Sequence, residues 1–187
     1  HAVDLIIREL KASNGDITLV PTGPLTNVAL AMLKEPSITS KIKEIILMGG
    51  ALFGNVTPAA EFNIFTDAEA AKVVFESGVP LTMVGLELTH QAMATHDIIE
   101  EIKAIDNKVA HFVADLLIFF SKRYYDVFGF QGGPIHDACA VAYCINRNVF
   151  TTQKWRVDIE TKGEYTYGMT VVDKLGITGR EPNVNVA

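Results

Sequence analysis

Asn55, Glu61 and Asn63 follow the apolar run that closes on Met48-Gly49-Gly50, so three polar side chains fall where a buried strand would end. Two amides and one carboxylate can pair with several hydroxyls at once. Glu61 and Asn63 are two apart, and an extended segment would turn both the same way. Read with His136-Asp137 and with Gly23-Pro24-Leu25-Thr26-Asn27, the set points to a site that grips a sugar and hydrolyses a bond to it.

Each residue also has a plainer reading. Asp137 could cap the helix that follows it. Asn55, after Gly54, could serve a turn with left-handed backbone. Glu61 and Asn63 could be loop surface, although their apolar neighbours Phe62 and Ile64 favour a partly buried, satisfied pair. Tyr124, Tyr125 and Phe128 could stack on a flat ligand or fill a helix face. Thr26 and Asn27 fit a helix start, His90 a rim, and His96 and His111 ordinary surface or packing positions.

The elements that must position these groups read as alternating strands and helices. Ala2–Lys11 has helical apolar spacing, and Asn14-Gly15-Asp16 stops it. Ile17–Val20 is a short strand, Pro21–Pro24 a turn, and Leu25–Leu33 a helix. Lys43–Met48 is a continuous apolar strand of the kind buried on both faces of a parallel sheet. Thr66-Asp67-Ala68-Glu69 matches a capping box before a helix over Ala70–Glu76, and Leu81–Leu86 is a third strand. Asp97–Tyr125 is predicted to be largely helical, Asp126–Pro134 a mobile loop, and His136–Ile145 a further helix. Alternation at Trp155, Val157 and Ile159, then Tyr165–Val172, predicts an antiparallel hairpin. The fold class expected is α/β, an open and mostly parallel sheet with helices on both faces plus that C-terminal hairpin. Ligands of such sheets bind outside the carboxyl ends of the strands, where Thr22, residues 48–63 and residues 87–90 would lie.

With 187 residues and 49% hydrophobic content the chain can bury a sizeable core. A net charge of -6, without a lysine or arginine run, argues against nucleic acid or an anionic membrane surface as partner. No apolar run approaches the ~20 residues of a membrane span. The two cysteines, Cys139 and Cys144, read as small core residues rather than a disulfide or metal pair, which fits a cytoplasmic setting.

Gly23-Pro24-Leu25-Thr26-Asn27, Met48-Gly49-Gly50, Gly54-Asn55, Ala60-Glu61-Phe62-Asn63 with Asp67 and Glu69, and His136-Asp137-Ala138 stand in the order and spacing of the inosine-uridine preferring nucleoside hydrolases, which this sequence resembles. The resemblance implies a calcium-dependent ribonucleoside N-glycosidase, acting on purine or pyrimidine nucleosides through a calcium-bound water, and a homo-oligomer. It implies that Asp137 and the Thr22 carbonyl are calcium ligands and that Met48, Asn55, Glu61 and Asn63 hold the ribose side of the substrate. His136 would then act with Asp137 in catalysis, protonating a base beside Tyr124; a histidine can do so near neutral pH if its pKa stays near its ordinary ~6.5. The family's N-terminal aspartate-rich segment has no counterpart here, where Asp4 and Asp16 stand alone. The expectation is therefore one nucleoside hydrolase-like domain over residues 1–187, incomplete at its N-terminus and C-terminus, inactive alone, and able to pair with a missing N-terminal segment. Two other expectations compete with it: a noncatalytic nucleoside- or sugar-binding fragment, and a structural α/β subunit from a truncated or split gene.

Overall fold

The computed structural model describes all 187 residues. In chain order the elements are α1 (Ala2–Ala12), β1 (Ile17–Leu19), α2 (Thr26–Lys34), a 3-10 turn at Pro36–Lys41, β2 (Ile42–Met48), α3 (Phe62–Thr66), α4 (Ala68–Phe75) and β3 (Leu81–Val84). Then come α5 (Leu86–Thr89), β4 (Met93–Thr95), α6 (His96–Ala104), α7 (Lys108–Phe128), β5 (Gly132–Pro134), α8 (His136–Ile145), β6 (Gln153–Ile159), β7 (Thr170–Asp173) and β8 (Val184–Val186). The chain forms two compact units, one of residues 1–87 with 137–187 and one of residues 88–136.

The first unit is built on a six-stranded sheet in the order β1-β2-β3-β8-β6-β7. β1, β2, β3 and β8 are parallel, and β6 runs antiparallel to both β8 and β7. The predicted hairpin is thus an extension of the main sheet. Ile45, Ile46 and Leu47 of β2 and Met83 and Val84 of β3 are buried, which explains runs with no polar alternation. α1 buries Val3 and Leu10, and α2 buries Val28, Ala29, Ala31 and Met32, each on one face against the same core. Three backbone hydrogen bonds lace the strand ends together: Met48 N–H to Pro21, Gly49 N–H to Val84, and Leu86 N–H to Gly50.

The second unit packs α6 and α7 with the β4–β5 pair. Here sequence and structure part. The single helical stretch expected over Asp97–Tyr125 is two helices, broken at Ile105–Asn107, where Asp106 adopts φ 51° and Asn107 caps α7 through the Ala110 N–H at 2.9 Å. The stretch expected as a loop, Asp126–Pro134, continues α7 to Phe128, ends it at left-handed Gly129, and then forms β5. Gly-Gly-Pro has no strand propensity, but β5 pairs through backbone with β4 in a space that excludes side chains: a Cβ on Gly133 would lie 2.6 Å from Phe120.

Smaller differences have local causes. α4 is capped by Asp67, which accepts from Ala70 N–H at 3.0 Å, in place of the Thr66 capping box. Tyr165 lies in a turn, and β7 begins only at Thr170. α8 has the predicted bounds but buries only Ala140, and its two cysteines are half-buried and form no disulfide. No helix is long and apolar enough to cross a membrane.

Asn183 fastens β8 beside β6. Its Oδ1 accepts from Val157 N–H at 2.8 Å, and its Nδ2 donates to the carbonyls of Val157 and Phe75. Asn183→Ala strands these groups next to buried Val157, so urea denaturation is expected to show a loss of about 2 kcal/mol. A loss below about 0.5 kcal/mol, the range of ordinary surface substitutions, contradicts this role.

Candidate active site

Glu61 is the centre of the arrangement in the first unit. It is only 3% exposed, and its carboxylate accepts three backbone N–H groups: Gly50 at 2.9 Å, Asn63 at 2.9 Å and Ile64 at 3.1 Å. The first comes from the turn after β2, the other two from the start of α3, where Glu61 is the N-cap. Glu61 and Asn63 therefore do not align by strand alternation, as the sequence suggested. They meet because a carboxylate at a helix start satisfies orphan donors.

Burial raises the Glu61 pKa, the three N–H donors oppose that shift, and the charge of Asp137 adds to it. No lysine or arginine stands among the groups that shift it. A carboxylate has about four lone-pair sites, and three of those on Glu61 are used by backbone. Asn63, itself buried, donates its side-chain N–H to the Met48 carbonyl at 3.1 Å and to the Met48 sulfur at 3.4 Å, which leaves its Oδ1 as an available acceptor.

The backbone that carries the Gly50 donor is itself pinned. Gly50 has φ +75°, and a Cβ there would lie 2.6 Å from Met83 Sδ and 2.9 Å from Thr170 Cγ2. Only glycine fits. Thr170, 2% exposed on β7, accepts from Ala51 N–H at 3.0 Å and donates to the Ala51 carbonyl. Glu87 accepts from Leu52 N–H. Thr170 was not singled out in the sequence, and Glu87 only as part of the 87–90 stretch beyond the third strand.

Asn55 is exposed, and its Oδ1 accepts from Phe62 N–H at 3.0 Å, closing the loop that leads to Glu61. Its backbone is not left-handed, so the turn reading for Asn55 does not hold. Thr22 is exposed directly after Pro21, whose carbonyl receives Met48 N–H. Thr26 donates to Asp67 at 2.5 Å, which ties α2 to the cap of α4. Asp137 is the second residue of α8, inside the helix, so it is not the N-cap. Solvent reaches it, yet enough protein surrounds the carboxyl that desolvation raises its pKa.

No group of three or more histidine, cysteine, aspartate or glutamate side chains could hold a metal ion. Calcium takes about six to eight oxygens, so Asp137 and the Thr22 carbonyl alone do not fit it.

The second unit holds the other predicted residues. His136 Nδ1 lies 2.8 Å from Thr89 Oγ1, which is fully buried, and its Nε2 lies 3.0 Å from the Tyr124 hydroxyl. The half-buried His90 ring is 5.7 Å from that of His136 and 5.6 Å from that of Phe130. Tyr124 packs against Phe120, Phe128 and Phe130, and burial raises its pKa. Burial, reinforced by the charge of His90, lowers the His136 pKa to about 4. The ordinary pKa that a pre-protonated acid needs at neutral pH is absent; His136 is a neutral imidazole there.

The sequence matches the inosine-uridine preferring nucleoside hydrolase profile across residues 1–187. The chain belongs to that family. It is 52% identical to the pyrimidine-specific ribonucleoside hydrolase RihA of Shewanella woodyi, over 99% of this chain and 60% of that protein. Identity to RihB of Escherichia coli O17:K52:H18, also named pyrimidine-specific, is 48%, over 100% of this chain and 60% of that protein. Among solved structures, the purine-preferring ribonucleoside hydrolase of Gardnerella vaginalis aligns with a TM-score of 0.89 at 36% identity, over 100% of this chain and 60% of that one. A plant nucleoside hydrolase, PpNRh1, aligns at 0.92 and 29%, over 100% and 61%. The chain thus spans about 60% of the length of the relatives it matches.

A histidine whose folded pKa lies below its unfolded value binds its proton less readily when folded, so it adds stability as pH rises from about 4 to about 6.5 and nothing further above that. The His136 ring resonances are expected to titrate near pH 4 by NMR. A midpoint at pH 6 or above contradicts the neutral imidazole.

Proposed function

We propose that this chain carries the ribose grip of a ribonucleoside N-ribosyl hydrolase that prefers pyrimidine nucleosides. The observation that carries the reading is the Glu61 carboxylate, buried and fixed by three backbone donors, with the Asn63 amide oriented beside it by Met48. Breaking a ribosyl C–N bond builds positive charge on the sugar, and a pre-set carboxylate that also feels the charge of Asp137 stabilises it without reorganising. The same oxygens accept from sugar hydroxyls, and the Asn63 Oδ1 supplies another acceptor. The pyrimidine preference rests on the names of the RihA and RihB relatives.

To His136 and Tyr124 we assign the departing base, on chemistry alone. The neutral His136 imidazole holds the Tyr124 hydroxyl, and that hydroxyl and the rings around it can hydrogen-bond and stack on a base. Calcium, as the family resemblance implies, would supply a polarised water; Asp137 and Thr22 are the residues here that would contribute oxygens, short of a full set. That shortfall favours a second reading, in which these residues bind a nucleoside without turning it over.

In a protein carrying these residues, Asn63→Ala is expected to lower uridine and inosine hydrolysis by similar factors, about 10- to 100-fold, because a lost hydroxyl contact costs roughly 1.5–3 kcal/mol. Chromatographic release of uracil and hypoxanthine measures both. A loss confined to one base contradicts the sugar assignment, and uridine binding without any turnover would favour the second reading.

A further inference from the structure

We propose that the first unit carries a second ligand site, one for an organic phosphate, at the edge of the sheet opposite the Glu61 cluster. The Gly50 donor of that cluster follows the carboxyl end of β2, whereas a cavity of about 610 Å³ opens where β3 and β8 begin. Its volume falls within the ~300–1,000 Å³ of small-molecule sites. Val79, Pro80 and Pro182 give it apolar walls, and Lys154, Arg156 and Asn185 bring polar groups to it. These three groups converge by strand pairing. Lys154 of β6 stands opposite Asn185 of β8, so their Cβ atoms lie about 5 Å apart on one face, and Arg156, two residues along β6, falls on that face too. Lys154 makes no ion pair, and the half-buried Asn185 amide has no protein partner. Arg156 is held in place: its Nε and Nη2 both donate to Asp158 Oδ1, at 3.0 and 2.6 Å, which leaves Nη1 to donate elsewhere.

Charge selects the ligand. The chain carries -6 overall, yet the ionised groups tied to this cavity run the other way. Lys154 and Arg156 are joined by Arg180, which shares Asp158 with Arg156, and by Lys72, which pairs with Glu76 of the lining. Four cations thus meet two carboxylates, a local surplus of two positive charges. The carboxyl end of α4 also borders the cavity, and its Phe75 carbonyl is covered by the Asn183 amide. A phosphate monoester brings close to two negative charges at neutral pH and three strong acceptor oxygens. An ammonium, a guanidinium and an amide can each take one of those oxygens. Inorganic phosphate would satisfy the same donors and leave the apolar walls uncovered, so the site fits a phosphate that carries a carbon skeleton.

Amide NMR of the isotope-labelled chain, titrated separately with ribose 5-phosphate, inorganic phosphate and ribose, tests this. Ribose 5-phosphate is expected to shift the Val79 and Asn185 resonances, the Asn185 side-chain amide included, with a Kd of about 1 mM or below. Inorganic phosphate should bind at least ~10-fold more weakly for want of apolar contact, and ribose should leave these resonances in place. Lys154→Ala should weaken ribose 5-phosphate ~10- to 100-fold, the worth of a hydrogen bond to a charged group, and Lys154→Arg should retain it. Lys154 is exposed and makes no hydrogen bond or ion pair, so neither substitution disturbs the fold. The Gly50 and Asn63 resonances report separately on the Glu61 cluster, so a sugar bound there is read apart from this cavity. Val79 and Asn185 resonances unmoved by ribose 5-phosphate up to about 10 mM overturn the proposal. So do equal affinities for inorganic phosphate and ribose 5-phosphate, or an undiminished affinity in Lys154→Ala.

Discussion

The buried carboxylate of Glu61 is the constraint on which the first unit depends. A carboxyl group that deep is tolerated only with partners, and all of its protein partners are backbone N–H groups from two different elements. The turn after β2 must therefore stay where Gly50 can donate, which requires glycine at φ +75° and the Thr170 anchor on Ala51. The start of α3 must sit one hydrogen bond away. The six-stranded sheet, the lacing of its strand ends and the Asn183 tie all serve to hold these backbone atoms in register.

The Glu61 arrangement also explains its chemistry. Because backbone amides carry no net charge, they fix the carboxyl group without a cation, and the charge of Asp137 adds to the upward shift that burial imposes on its pKa. A ligand that brings hydroxyl protons, or one that becomes positive as it reacts, answers that deficit. The second unit has the opposite character: His136 is held uncharged by burial and by His90, among phenylalanines and Tyr124. An apolar, hydrogen-bonding cluster suits a flat heterocycle better than a polyol.

Much of this was legible in residues 1–87 and 136–159, where hydrophobic period and burial agree. β2 reads as a continuous apolar run because both its faces are covered, and α8 has the bounds that Pro134 and the run to Ile145 suggested. The region around β5 was not legible, because Gly132–Pro134 is a strand by pairing and lack of space, neither of which has a side-chain signature. Glu61 and Asn63 were found as a pair for the wrong local reason, since a five-residue helix is too short to show a period. Thr170 lies 119 residues from its partner Ala51, and no local pattern announces such a contact. The lowered pKa of His136 depends on burial and on His90, and so lay beyond any reading of the motif.

On the proposed function, the Glu61 cluster meets the sugar. Amide NMR of the isotope-labelled chain, titrated separately with uridine, ribose and uracil, tests it most directly, because Gly50, Asn63 and Ile64 each offer the N–H that Glu61 accepts. Uridine and ribose are expected to shift these three resonances, and uracil to leave them in place. Shifts produced by uracil alone, or uridine binding that leaves all three unmoved, would contradict it.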